Sequence, residues 1–132
     1  MTEHAMPYHF KHHYTLEEAR ALLPRIRRWL QQLDELRAQM QTDEHSLRAL
    51  QAKAGDVGGK VVDRWVRAVA DFRGLIAEFE SREIQLKDIG RGLLDFPAII
   101  GGREVFLCWE KDEDDIEHWH DLDAGYAGRE RL

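Results

Sequence analysis

The chain has 132 residues, 43% of them hydrophobic, and a formal net charge of −6. That size and composition suit one domain with a single core and exclude wholesale disorder. No apolar run approaches the ~20 residues that a membrane helix needs, and no signal core opens the chain, so no membrane role is expected. Cys108 is the only cysteine, which leaves no internal disulfide and suits a reducing cytoplasm.

The charge is unevenly placed. Residues 110–123 carry eight acids and one Lys, and the rest of the chain is close to balance. A locally acidic face repels phosphate backbones, so nucleic acid is not expected as a partner; it attracts cations or a basic protein partner instead. The plain alternative is a solvated acidic turn.

In chain order, residues 1–13 read as a flexible tail. Its His4, His9, His12 and His13 can take up metal casually, and Tyr8 and Phe10 are its anchors. Residues 14–132 read as a single α+β domain. Thr15-Leu16-Glu17-Glu18 is a capping box that opens a helix. Leu16, Ala19, Leu23, Ile26, Leu30 and Leu33 then follow a three-four spacing, giving one apolar seam. Pro24 cannot donate to the carbonyl of residue 20, but the period runs through it, so the helix bends there rather than breaks. From Gln41 the signal weakens, because Thr42 and Asp43 can break and recap the helix. The expected limits are about 15–54, with a turn at Gly55, Gly58 and Gly59. A second helix is expected over about 60–82, with Val62, Trp65, Val69, Phe72, Ile76 and Phe79 on its seam. Matched lengths and seams predict an antiparallel helical hairpin. Two helices cannot cover their own apolar faces, so either the C-terminal part or a second copy covers them, and a homodimer through the helices is expected.

Strand patterns fill 84–132. Ile84–Lys87 alternates. Leu93–Ile100, Gly101-Gly102 and Arg103–Glu110 read as a β-hairpin with a two-glycine turn. Pro97 marks the first arm as an edge or bulged strand. The second arm is apolar on both faces and is therefore central. Asp112–Asp115 is a turn, Ile116–Leu122 is a further strand, and the last residues are irregular. The fold class is α+β: a long antiparallel helical hairpin followed by a small, mostly antiparallel sheet of three or four strands.

Thr15-Leu16-Glu17-Glu18-Ala19, Leu22-Leu23-Pro24, Lys87-Asp88, Asp95-Phe96-Pro97-Ala98, Leu107-Cys108-Trp109, Trp119-His120 and Gly125-Tyr126-Ala127-Gly128-Arg129 together carry a resemblance. The chain resembles a family of small bacterial proteins catalogued as domain of unknown function 2203. The resemblance covers nearly the whole chain past residue 13. It implies no particular activity.

Candidate chemistry concentrates in the sheet region. His118 and His120 share a face if 116–122 is a strand. With Cys108 and Glu113 they form a workable zinc set, and three ligands plus water would make a metal-dependent hydrolase centred on His120. Against it, His-x-His is a weak motif, and a cysteine in an apolar strand is more often a small core residue. The second arrangement is a polar, Trp-lined pocket on the sheet. Asp88, Arg91, Asp95, Trp109, Trp119, Tyr126 and Arg129 are its candidate ligand-binding residues, with Asp95 or Glu113 as base and His120 as acid. Its competitor is an internal ion-pair network in which Arg129, paired with Asp95 or Glu113, pins the C-terminal segment. An EF-hand-type calcium loop from Asp112 fails, because its sixth residue is Glu117 and its twelfth Asp123. Gly90-Arg91-Gly92 does not extend to a dinucleotide fingerprint. Ser46 and Ser81 sit in helical stretches, which excludes a serine elbow. The leading functional expectation is a ligand- or partner-binding module, with the metal-dependent hydrolase as the alternative.

Overall fold

The computed structural model describes residues 8–54 and 59–132. The start of the expected tail and the turn around Gly55 and Gly58 lie outside the described residues. Two helices, α1 (Leu16–Ala54) and α2 (Gly59–Ser81), are followed by β1 (Gln85–Asp88), β2 (Leu93–Ile100), β3 (Arg103–Trp109), β4 (His118–Asp121), a 3-10 turn at Tyr126–Gly128 and β5 (Glu130–Arg131). The fold is therefore α+β, a helical hairpin and then an antiparallel sheet. The sheet has five strands in sequence order, against the three or four expected. The extra one is the two-residue β5, too short and too polar to leave an alternating pattern. No helix among the described residues is long and apolar enough to cross a membrane. The chain divides into two compact units, one of Ile26–Glu78 and one of the flanking residues, up to Arg25 and from Phe79 to Leu132.

In the helical unit, Ile26, Leu30 and Leu33 of α1 are buried. The stretch after Gln41, where the apolar pattern fades, stays helical to Ala54. The reason is Asp43. It takes a seam position, is fully buried, and its Oδ1 accepts from Gln39 Nε2 and from Arg64 Nε of α2, both at 2.9 Å. A carboxylate paired through one oxygen with Gln39 of the same helix and Arg64 of the neighbouring one, its Oδ2 left without a hydrogen bond among the described residues, replaces the expected apolar contact.

In the other unit the capping box forms reciprocally: the Thr15 amide donates to Glu18 Oε1 at 2.9 Å, and the Glu18 amide to Thr15 Oγ1 at 3.1 Å. Pro24 is accommodated inside α1. α2 ends in a Schellman turn, with the Ile84 amide on the Phe79 carbonyl at 3.1 Å and Glu83 at φ 59°. Residues 8–13, placed in the tail by the sequence, are tied down. Glu104 accepts from the amides of His9 and Phe10 and pairs with His13 Nε2 at 2.8 Å. Glu83 Oε1 accepts from the amides of Lys11 and His12. The Phe10 ring lies 5.5 Å from that of Phe106.

The Gly101-Gly102 turn has φ 59° and 78°, the left-handed values a two-residue hairpin needs. It sets the register: Ile100 faces Arg103, Asp95 faces Cys108 and Leu94 faces Trp109. β3 is the central strand, as its doubly apolar sequence requires. β2 lies inside the sheet, not at its edge, because β1 pairs with Leu93–Asp95. Pro97 lies beyond the end of β1. Its carbonyl accepts from the Tyr14 amide at 2.7 Å. Because N and O of one strand residue point the same way, the missing N–H is on the side away from β3 and costs no ladder bond.

Candidate functional site

Alternation along paired strands sorts the sheet into two faces. Leu94, Phe96, Ala98, Val105, Leu107 and Trp109 share one, with Trp119 opposite Leu107. All but Trp119 are buried, so this face is core. Asp95, Phe106, Cys108, His118 and His120 share the other.

On that second face Asp95, Cys108 and His120 converge, with one donor atom from each lying within 4.8 Å of the others. They are 3%, 1% and 3% exposed. Asp95 Oδ1 and His120 Nε2 are 2.9 Å apart. The second imidazole nitrogen, Nδ1, is 2.8 Å from the backbone oxygen of Asp121. A carbonyl oxygen can only accept, so Nδ1 carries the hydrogen of that bond. Burial pushes the Asp95 carboxyl above its ordinary value, against the pull of His120. Burial, with the Asp95 charge beside it, pushes the Cys108 thiol up to about 12. In the metal-free protein Cys108 is thus a thiol and not a nucleophile at neutral pH.

A cavity of about 270 Å³ opens over this trio. Its walls include Lys87, Phe106, Leu122 and Tyr126. A larger groove of about 640 Å³, between α1 and α2, is lined by Gln32, Glu35, Leu36, Asp71, Leu75 and Glu78 among others. Among the described residues, the one group of potential metal ligands lies over the sheet and not in this groove.

The sequence-predicted residues divide accordingly. Of the ligand-binding set, Asp95 and Tyr126 line the cavity. Trp109 and Trp119 belong to the opposite face, so the pocket is walled by Phe106 and Tyr126 and not by tryptophan. Asp88 is spent on its own turn, accepting from the Arg91 amide at 3.0 Å. Arg91 pairs with Glu110 at 2.6 Å. The Arg91 and Arg129 guanidiniums lie 4.5 and 4.2 Å from the centre of the Tyr126 ring.

Of the metal set, Cys108 and His120 come together with Asp95; His118, opposite Cys108 in register, and Glu113, joined to Cys108 Sγ through Arg129 Nη1, lie outside that cluster. The Glu113 carboxylate accepts from Arg129 at 2.7 and 3.2 Å and from the Glu110 amide at 3.0 Å. Those bonds take three of the carboxylate's lone-pair positions and tie Glu113 to Arg129. The His118 ring nitrogen Nδ1 is 3.5 Å from Glu113 Oε2 and makes no hydrogen bond. The pin expected of Arg129 is thus made to Glu113. The acidic segment is also partly consumed within the fold, since Asp115 pairs with Arg20 and Asp121 with Arg103.

Sequence reasoning singled out Asp95 but did not join it to Cys108. A two-residue turn at 101–102 fixes Ile100 opposite Arg103, and counting back along both arms brings Asp95 opposite Cys108. Lys87 was not singled out, and only the three-dimensional arrangement brings it to the cavity.

The family model described as "Uncharacterized conserved protein (DUF2203)" matches residues 12–132. The chain belongs to this family. No curated protein and no solved structure matches it.

Proposed function

We propose that the protein is a binding module for a small polar ligand, seated over Asp95, Cys108 and His120 in the cavity on the sheet. One observation carries this reading: three buried side chains with polar heads share the floor of one cavity. Burying such groups is costly. A packed apolar floor would serve stability better, whereas a few converging polar groups in an otherwise apolar cavity suit recognition. Lys87 adds a cation to the wall, its ammonium 5.9 Å from the centre of the Phe106 ring, which favours a ligand bearing an anionic or carbonyl group. A lone thiol supports a reducing cytoplasm, and the family resemblance supports a bacterial cell.

The test is a ligand-observed NMR screen of small carboxylates, phosphates and amides against the wild type and Ala124→Trp, which fills the cavity. The expected result is a set of binders lost in the variant. Binders that the variant retains in full, or no binder at all, contradict the reading.

A homodimer through the helices is a separate proposal. It is supported by the half-buried state of Val62, Trp65, Val69, Phe72 and Ile76 along α2, next to Val66 at 52% exposure. Sedimentation should give a dimer for the wild type and a monomer for Val66→Glu; a monomeric wild type removes the proposal.

A further inference from the structure

We infer that Asp95 Oδ1, Cys108 Sγ and His120 Nε2 are the three protein ligands of a zinc-class transition-metal ion, with a fourth position facing the cavity. This deepens the pocket reading and depends on it only for that fourth position.

The argument is one of hydrogen-bond valence. His120 Nδ1 gives its hydrogen to the Asp121 carbonyl at 2.8 Å, which leaves Nε2 as the nitrogen that faces Asp95 Oδ1, 2.9 Å away. An imidazole nitrogen and a carboxyl oxygen at that separation share a positive centre, a proton or a metal ion. A proton serves two acceptors. A metal ion serves three, and here a third ligand atom, Cys108 Sγ, lies within 4.8 Å of both. Asp, Cys and His together are a donor set suited to zinc-class ions. A backbone carbonyl on the far imidazole nitrogen is the outer partner that fixes a metal-binding histidine in its ring orientation. The central strand and its neighbours supply one ligand each, from β2, β3 and β4, so a rigid sheet presets the geometry.

Three protein ligands with one open position distinguish catalytic zinc sites from the four-ligand structural ones. An ion held here would make a bound water or ligand donor more acidic. The set differs from the one the sequence suggests. Asp95 takes the carboxylate position, Glu113 being bound by Arg129, and His118 is outside the cluster.

The test uses the untagged full chain, stripped with a chelator and titrated with Co(II). The expected spectrum has tetrahedral visible bands and a thiolate-to-cobalt charge-transfer band, saturating at about one ion per chain. Cys108→Ser should lose the charge-transfer band. Asp95→Asn, which keeps shape and hydrogen bonding, should weaken cobalt binding by roughly tenfold or more. A His12→Ala/His13→Ala chain, checked by circular dichroism like the others, should bind as the wild type does. No charge-transfer band, its survival in Cys108→Ser, or binding lost only with the tail histidines overturns the proposal. Small-molecule binders that occupy the stripped protein while cobalt does not bind would leave the pocket reading standing and remove the metal alone.

Discussion

Asp95 and His120, 25 residues apart in the chain, meet across β3 with Oδ1 2.9 Å from Nε2, and neither side chain reaches solvent to any extent. Removing either leaves the other buried with an unmet polar group. In the metal-free protein, Asp95→Ala and His120→Ala should each lower stability by about 2–4 kcal/mol. The double variant should lose less than the sum, by about 1 kcal/mol or more. Urea denaturation of the four proteins measures this, and strictly additive losses would show that the two side chains are not energetically joined.

Arg129 and Glu113 form the second cross-chain pair, with the guanidinium donating two hydrogen bonds to one carboxylate. Beyond Arg129, β5 and the Leu132 amide, on the Glu117 carbonyl, hold the end of the chain. Arg129→Met should cost about 1–2 kcal/mol. It should also raise hydrogen exchange at the Glu130–Leu132 amides while leaving β2 and β3 protected. Unchanged exchange at the C-terminus would mean that the pair pins nothing.

The hairpin was legible because two apolar, strand-prone arms flank a Gly-Gly pair, which favours a tight hairpin turn. The first helix was legible through its capping box and seam. The helix is expected to about residue 54, but its signal fades from Gln41, because Asp43 occupies a seam position and its partner Arg64 lies 21 residues on. The candidate site was legible in half. Asp95 opposite Cys108 follows from the turn, but the pairing of β4 with β3 depends on a long connection whose register no local pattern fixes. The tryptophans were separable by alternation alone: Trp109 follows Cys108 and Trp119 precedes His120, and adjacent strand residues take opposite faces.

Glu104 controls the N-terminal segment. Burial alone would raise its carboxyl, but hydrogen bonds from His13 and from the His9 and Phe10 amides hold it below the ordinary carboxylate range. A group depressed in this way contributes stability that is complete above its unfolded value, near ~4.3, and is lost as pH falls through its lower folded value. The His9 and Phe10 amide resonances should keep their attached positions at neutral pH and move together below about pH 4. In Glu104→Gln the transition should be absent and the attachment weaker throughout. A wild-type transition near neutrality would contradict this assignment.

Glu83 is left-handed, at φ 59°, where most side chains cost about 1–2 kcal/mol. Glycine would relieve that strain at the end of α2 but remove the acceptor for the Lys11 and His12 amides. Glu83→Gly should therefore change global stability by less than about 1 kcal/mol. The same change should markedly increase hydrogen exchange at those two amides. Unchanged exchange there would show that the carboxylate is not what holds the segment.

The most direct measurement is a long-range ¹H–¹⁵N correlation spectrum of the His120 ring, recorded on the stripped chain and again after zinc is added. The account predicts a hydrogen on Nδ1 in both states and a large shift confined to Nε2 once zinc is present. A ring with its hydrogen on Nε2 alone, or one indifferent to zinc, would contradict it.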